Sequence, residues 1–314
     1  MIKRFQNKVA ESRYTLPAAA AYGTLVWLVC GMIQHQWWIQ FACFALATYL
    51  MVELNNSNAL IRIYSRSVSA IFILLSCAAC FLFPSMEGAI AQVSMTGSLL
   101  VLFRAYLDKQ APGITFYTFL ILSMGSLAQV QLLWFIPVYW IIMGFFIFSM
   151  TVRAFIASLL GILLPYFCLF TWVVWRYGDD LTPFAAHFHP LGDYEIPFYH
   201  SGVSIPLILT FVLVVALANT GLIHYLRTSF FDKIRIRQIY YSFIFLDAVA
   251  GVFLLAQPQL YDTSLRMMII ATSPLIAHFL SLTRTRLTNI AFFVILGVAF
   301  IVTVINIWIS SFTS

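Results

Sequence analysis

SIPLILTFVLVVALANTGLIHYL, residues 204–226, holds no Asp, Glu, Lys or Arg, and the segment behind it, RTSFFDKIRIR (227–237), holds four basic residues. An apolar run of this length spans a hydrocarbon core of roughly 30 Å as a helix rising about 1.5 Å per residue. In lipid every backbone N–H and C=O needs a partner inside the segment, so the run is helical. Similar runs fall at about 16–33, 36–52, 67–83, 90–107, 114–129, 132–149, 154–175, 241–256, 267–283 and 288–310. All are apolar around their whole circumference and too long for the short alternating strands of a barrel. The expected fold is therefore all-α, a polytopic membrane bundle of about 11 transmembrane helices.

Composition agrees. Of 314 residues 62% are hydrophobic and 9% charged, against about 25% charged in a soluble domain. The apolar excess has to face lipid.

The charges orient the chain. Fifteen of the 17 Lys and Arg residues fall before the first run or in alternate loops, from Lys3, Arg4, Lys8 and Arg13 through Arg227–Arg237 to Arg284 and Arg286. The positive-inside rule assigns that side to the cytoplasm. Arg176 and Arg266 fall opposite, with Glu87, Asp179, Asp180, Asp193, Glu195 and Asp262. The N-terminus is expected inside and the C-terminus outside. Residues 1–15 place Ile2, Phe5 and Val9 at helical spacing among charges, an amphipathic cytoplasmic segment. Residues 16–314 form one transmembrane domain with an external loop at 176–203. The net charge of +6 sits in short loops rather than one stripe, which argues for orientation signals and against a nucleic-acid partner.

The external loop gathers His187, His189 and His200 with four acids, three prolines and several aromatics. Imidazoles with a carboxylate would suit a divalent transition metal, though their spacing matches no compact metal motif. No other cofactor is expected. Asp179 or Asp180, or Glu87 in the second external loop, would serve as a general base toward a lipid-linked substrate. A solvated cap anchored by its aromatics is the simpler reading. Within the runs, Asp247 and His278 lie at similar shallow depth from the cytoplasmic ends of their helices and are expected to pair, as a helix–helix contact or a proton-sensitive site. Cys77 and Cys80 are expected one turn apart on one helix face, as packing residues.

Glu53–Asn58, ELNNSN, is expected to be a polar inner loop, with Arg62 and Arg66 behind it. Together with Arg235 and Arg237 these arginines are candidates for anionic lipid headgroups on the cytoplasmic face.

The stretch Glu53–Arg66, VRAFIASLLGILLPY (152–166) and SPLIAHFLSLTRTRLTNIAFF (273–293) resemble an uncharacterised family of polytopic inner-membrane proteins of Bacteroidota. The resemblance runs from about residue 50 onward, implies a bacterial inner membrane with the long loop in the periplasm, and carries over no functional residue. A weaker similarity is to membrane glycosyltransferases that use polyprenyl-phosphate sugars. Such enzymes carry an acid in the first external loop, whereas IQHQW (33–37) has none, and Glu87 is the nearest substitute.

Three functional classes follow. The first is a non-catalytic subunit or scaffold of a cell-envelope assembly, with lipids and envelope proteins as partners. The second is an envelope enzyme, glycosyltransferase-like, or a flippase for a lipid-linked substrate. The third is a small-solute transporter using Asp247 and His278.

Overall fold

The computed structural model describes residues 4–192 and 204–313, with side chains through residue 309. The described residues are helical and contain no strand. In chain order the helices are α1 (Phe5–Glu11), α2 (Thr15–Val29), α3 (Trp38–Asn58), α4 (Ser67–Ala78), α5 (Met86–Leu102), α6 (Pro112–Ala128) and α7 (Ile136–Phe145). Then come α8 (Val152–Tyr177), α9 (Thr182–His187), α10 (Ile205–Thr228), α11 (Ile234–Ala256), α12 (Tyr261–Leu282) and α13 (Arg286–Thr313).

Local chemistry sets several starts. The Ser85 hydroxyl accepts from the Gly88 N–H at 3.0 Å, and Thr151 from the Ala154 N–H at 3.1 Å, each satisfying one of the orphan donors of a first turn. Pro112, Pro137 and Pro206 occupy first-turn positions of α6, α7 and α10, where a missing N–H costs nothing.

With their flanking 3-10 turns, α3, α5, α8, α10, α11, α12 and α13 are long and apolar enough to cross a membrane. These seven helices mark a multi-spanning membrane protein. The other four apolar segments, at 15–29, 67–78, 112–128 and 130–145, are shorter. Hydropathy overlooks helix breaks inside an apolar run: 67–83 is interrupted at Ala79, and 132–149 opens with a 3-10 turn before α7. The break at Ala79 also separates Cys77, at the end of α4, from Cys80 in the next 3-10 turn, so the two do not share one helix face; both are buried.

Helix α12 is the centre of the bundle. Of its 22 residues 19 are buried, packed by α4, α5, α10 and α11. Helix α5 extends that core toward α3 and α6, and α8 lies outside α6 with 7 of its 26 residues buried. Most of the remainder of α8, including Phe155, Leu163, Phe167 and Trp175, is exposed as a lipid-facing surface would be. Trp27 is a packing residue, stacked on Phe83 at 3.8 Å and 6°.

Helices α6 and α8 touch through Gly161. A Cβ there would meet the Phe116 carbonyl oxygen at 2.5 Å and the Leu120 nitrogen at 3.1 Å, both backbone atoms that cannot swing aside. Gly161→Ala is expected to lower stability by about 1–3 kcal/mol, the usual cost of overpacking. Gly144→Ala, in α7 with nothing within 4 Å of its Cβ, should be neutral or gain up to about 1 kcal/mol of helix propensity. Thermal unfolding of both variants in one mild detergent separates the cases, and equal melting points would contradict the close contact.

Two expectations about the ends are corrected. Glu53–Asn58 is the last part of α3, not a loop; the helix stops at Ala59, which takes a left-handed φ of 50°. Its asparagines have tertiary partners that a turn would not supply: Asn55 Nδ2 donates to the Ser65 carbonyl at 2.9 Å, and Asn58 Oδ1 accepts from Arg235 at 3.0 Å. Asp262 and Arg266 lie inside α12 and are buried rather than external. Helix α1 docks by its polar face, because Gln6 and Asn7 are buried while Phe5 is exposed and stacks on Phe293 at 5.4 Å.

Candidate functional sites along helix α12

Three polar centres lie along α12, one near each end and one between. At the end shared with Arg284, Asp232 in the α10–α11 connection is buried and takes two side-chain partners. Arg62 Nε donates to Oδ1 at 2.6 Å and His278 Nε2 to Oδ2 at 3.2 Å. Burial pushes the Asp232 carboxyl up, but the hydrogen bonds from His278 and Arg62 outweigh it and hold the group below the ordinary carboxylate range. Tyr225 and Tyr240 stack at 4.3 Å and flank the His278 ring at 5.1 and 5.2 Å, and the His224 ring lies 5.5 Å away. The Tyr240 hydroxyl donates to the carbonyls of Leu60 and Pro274, at 3.3 and 3.5 Å. This cluster ties the α3–α4 connection to α10, α11 and α12.

At the opposite end, Arg266 is buried and fully engaged. Its Nε donates to Asp262 Oδ1 at 2.6 Å, Nη1 to Gln92 Oε1 at 2.9 Å and Nη2 to the Leu82 carbonyl at 2.6 Å. Ser85 Oγ donates to Asp262 Oδ2 at 2.8 Å. A buried guanidinium satisfied this way acts as a cross-brace between α12, α5 and the α4–α5 connection.

Between them, Asp247 accepts from Thr272 Oγ1 at 2.9 Å. The expected Asp247–His278 pair is corrected: His278 reaches Asp232 instead, and α11 begins at Ile234, seven residues earlier than the apolar run suggests. Asp247 thus sits 13 residues into α11, about 20 Å along it. It lines a lateral groove of about 350 Å³ between α10 and α11, floored by α12, with Asn219, Ala218, Ala248 and Gly251 also at its surface.

The other expected residues are dispersed. Glu87 is exposed in the first turn of α5. Asp179 and Asp180 are exposed beyond α8; Asp180 accepts from the Thr182 N–H at 3.0 Å and from its hydroxyl, which holds its carboxyl below the ordinary value. His187 is half-buried against Tyr166 and Phe188, and burial pushes its imidazole down. His189 follows in a 3-10 turn, while His200, Asp193 and Glu195 lie outside the described residues. Among the described residues no group of three His, Cys, Asp or Glu converges as metal ligands. Of the lipid-headgroup candidates, Arg62 is held by Asp232. Arg235 joins Asn58 to the Phe103 carbonyl at 3.2 Å, and Arg66 bonds the Tyr64 hydroxyl at 3.1 Å; Arg237 lies in the first turn of α11.

Sequence reasoning passed over Asp232, Gln92 and the Asp262–Arg266 pair. The i, i+4 spacing of the last two, with Thr263 and Ser264 between them, is the signal that would have placed them on a helix rather than in a loop.

A second cavity lies away from these centres. It is an apolar chamber of about 430 Å³, open on one side and lined by α1, α2, α4, α10, α12 and α13. Comparison with protein families, with curated proteins and with solved structures finds no match to this chain.

Proposed function

We propose that this chain is a non-catalytic scaffold subunit of a cell-envelope assembly in a bacterial inner membrane. It spans that membrane eleven times, with the N-terminus cytoplasmic and the C-terminus periplasmic. The distribution of 15 of the 17 basic residues supports the span count and the orientation. The resemblance to the Bacteroidota family supports the location.

The observation that carries the scaffold role is Asp247 in its lateral groove. A carboxylate this deep costs roughly 2.5–3.5 kcal/mol on insertion scales, and Thr272 gives it only one hydrogen bond. Small residues on both walls, Ala218 on α10 and Ala248 and Gly251 on α11, let another helix backbone approach closely. A partner's spanning helix carrying a hydroxyl, amide or basic side chain would complete the carboxylate's hydrogen bonding.

Photo-cross-linking in living cells tests this. A photoreactive side chain at Ala248 or Val252, both lining the groove, should give one discrete protein adduct. The same probe at Phe167, on the exposed face of α8, should give none. An interhelical hydrogen bond worth about 1–2 kcal/mol predicts that Asp247→Leu weakens the groove adduct roughly tenfold. Adducts with lipid alone at both groove sites would overturn the scaffold reading.

A second reading, an enzyme or flippase acting on a lipid-linked substrate, is favoured by the apolar chamber. Its volume falls within the roughly 300–1,000 Å³ of small-molecule sites.

A further inference from the structure

We infer that the chamber between α2, α4, α12 and α13 is a binding site for one anionic phospholipid, with an acyl chain inside and the phosphate at the basic rim. This goes beyond the scaffold role and does not depend on it.

The chamber has one polar end and one aromatic end. Thr15 of α2 and Ser67 of α4 mark the first, with Gln6 of α1 between them; Tyr22 and Phe300 mark the second. There the Tyr22 hydroxyl donates to Thr303 Oγ1 at 3.0 Å, joining α2 to α13. Seven residues separate Thr15 from Tyr22 and eight separate Ser67 from Leu75, so the apolar shaft runs about 10–12 Å along the helices. That is the depth of most of one leaflet of a hydrocarbon core roughly 30 Å thick. Its walls are chiefly Ala, Ile, Leu and Phe, a surface suited to methylene groups and not to a polar solute.

The polar end selects charge. Helices α2, α4 and α13 begin there and α12 ends there, so three partial positive charges meet one partial negative one. Arg4 caps α1, Lys8 lies on it and Arg13 in its link to α2; Arg66 precedes α4, and Arg284 and Arg286 lead into α13, with Glu11 the acid in the same segments. Arg4 Nε donates to the Arg284 carbonyl at 3.2 Å, which holds the two sides of the rim together.

A buried, unpartnered polar atom lies at this end. Gln6 is 1% exposed and lines the chamber. Its Nε2 is committed to the Thr283 carbonyl and to the hydroxyls of Thr283 and Thr288, which fixes the amide and leaves Oε1 buried without a partner. An unsatisfied buried acceptor costs about 1–3 kcal/mol, so this end of the chamber is polar but under-satisfied. A phosphoglycerol headgroup carries one net negative charge, which the basic segments at this end match.

The test is native mass spectrometry of the full-length protein in a mild detergent, titrated with phosphatidylglycerol and with phosphatidylcholine of the same chains. One phosphatidylglycerol per chain is expected, retained at least tenfold better than phosphatidylcholine. Filling the shaft with Ala19→Phe and Ala70→Phe should lower that retention tenfold or more. The triple variant Arg13→Gln, Arg284→Gln, Arg286→Gln should bring phosphatidylglycerol down to the phosphatidylcholine level. Equal retention of the two lipids by the native chain, or unchanged retention by the filled variant, overturns the inference. Preferential retention of a polyprenyl phosphate overturns it too and moves the lipid-linked-substrate reading to first place. Should the filled variant not fold, spin-labelled phosphatidylglycerol on the native chain decides. A motionally restricted component displaced by one equivalent of unlabelled lipid supports the site, and its absence removes it.

Discussion

Arg266→Met is expected to destabilise the protein by about 3–5 kcal/mol, the range for removing one partner of a buried ion pair. Arg266 is 5% exposed and spends its guanidinium on Asp262, Gln92 and the Leu82 carbonyl. Methionine of similar length fills most of the volume but strands the Asp262 charge, the Gln92 oxygen and a backbone carbonyl in one place. The double variant Arg266→Met, Asp262→Leu removes both charges and should recover much of the loss, since apolar replacements of a whole buried pair are often neutral. Gly88→Ala attacks the same brace sterically: a Cβ there would lie 2.2 Å from Asp262 Oδ2 and 2.6 Å from Arg266 Nε. Thermal unfolding in detergent, read as loss of the monodisperse peak, ranks the three. A double variant no better than Arg266→Met would show that packing and not charge dominates the site.

The second large effect is at Asp232. Asp232→Asn is expected to cost about 3 kcal/mol, the low end for a buried pair, because the Arg62 side chain is about a third exposed and keeps part of its hydration. The change should also alter the response to acid. The folded carboxyl lies below its ordinary value of about 3.9 because His278 and Arg62 outweigh the upward push of burial. A depressed carboxyl contributes stability that is complete above the unfolded value and is lost as pH falls through the folded one. The native melting temperature should therefore fall on acidification below about pH 4, and the Asn variant should lack that component. Identical acid profiles for the two proteins would place the acid sensitivity elsewhere.

Both predictions concern residues whose roles the linear chain conceals. Asp232 sits among Phe231 and Lys233 in a connection that is rich in basic residues, and nothing along the chain links it to His278, 46 positions away, or to Arg62, 170 away. Arg266 lies one residue before an apolar run, so a hydropathy count leaves it outside the membrane. The structure instead extends α12 outward to Tyr261 and buries both charges, because Gln92, Ser85 and a carbonyl supply the hydrogen bonds that water would otherwise give. Asp247 was visible as an intramembrane acid, since an ionisable residue in an apolar run is conspicuous. Its partner was not, because the start of α11 is set by where Ile236 and Ile239 find buried positions and not by where charge ends.

The same division explains the asparagines at the end of α3. In isolation ELNNSN favours a turn, because short amides compete with the backbone for hydrogen bonds. Asn55 and Asn58 bond instead to Ser65 and Arg235, and the helix continues through them. Helix α1 shows the inverse. Its apolar spacing pointed to a membrane-surface helix held by Phe5 and Val9, yet Gln6 and Asn7 make its bonds to the start of α13 and the end of α12.

What the sequence determined by itself is the class: a chain with 62% hydrophobic residues in long uninterrupted runs must form helices that shield their own backbones. That conclusion needs only local information, since the hydrogen bonds of a helix close within four residues. The tertiary structure alone decided which helix lies at the centre, which charges are buried, and where the chamber and the groove open. Those features depend on residues that are up to 283 positions apart, as Gln6 and Asn289 are, and in lipid such contacts are chosen by packing and hydrogen bonding between helices whose outward chemistry is nearly the same.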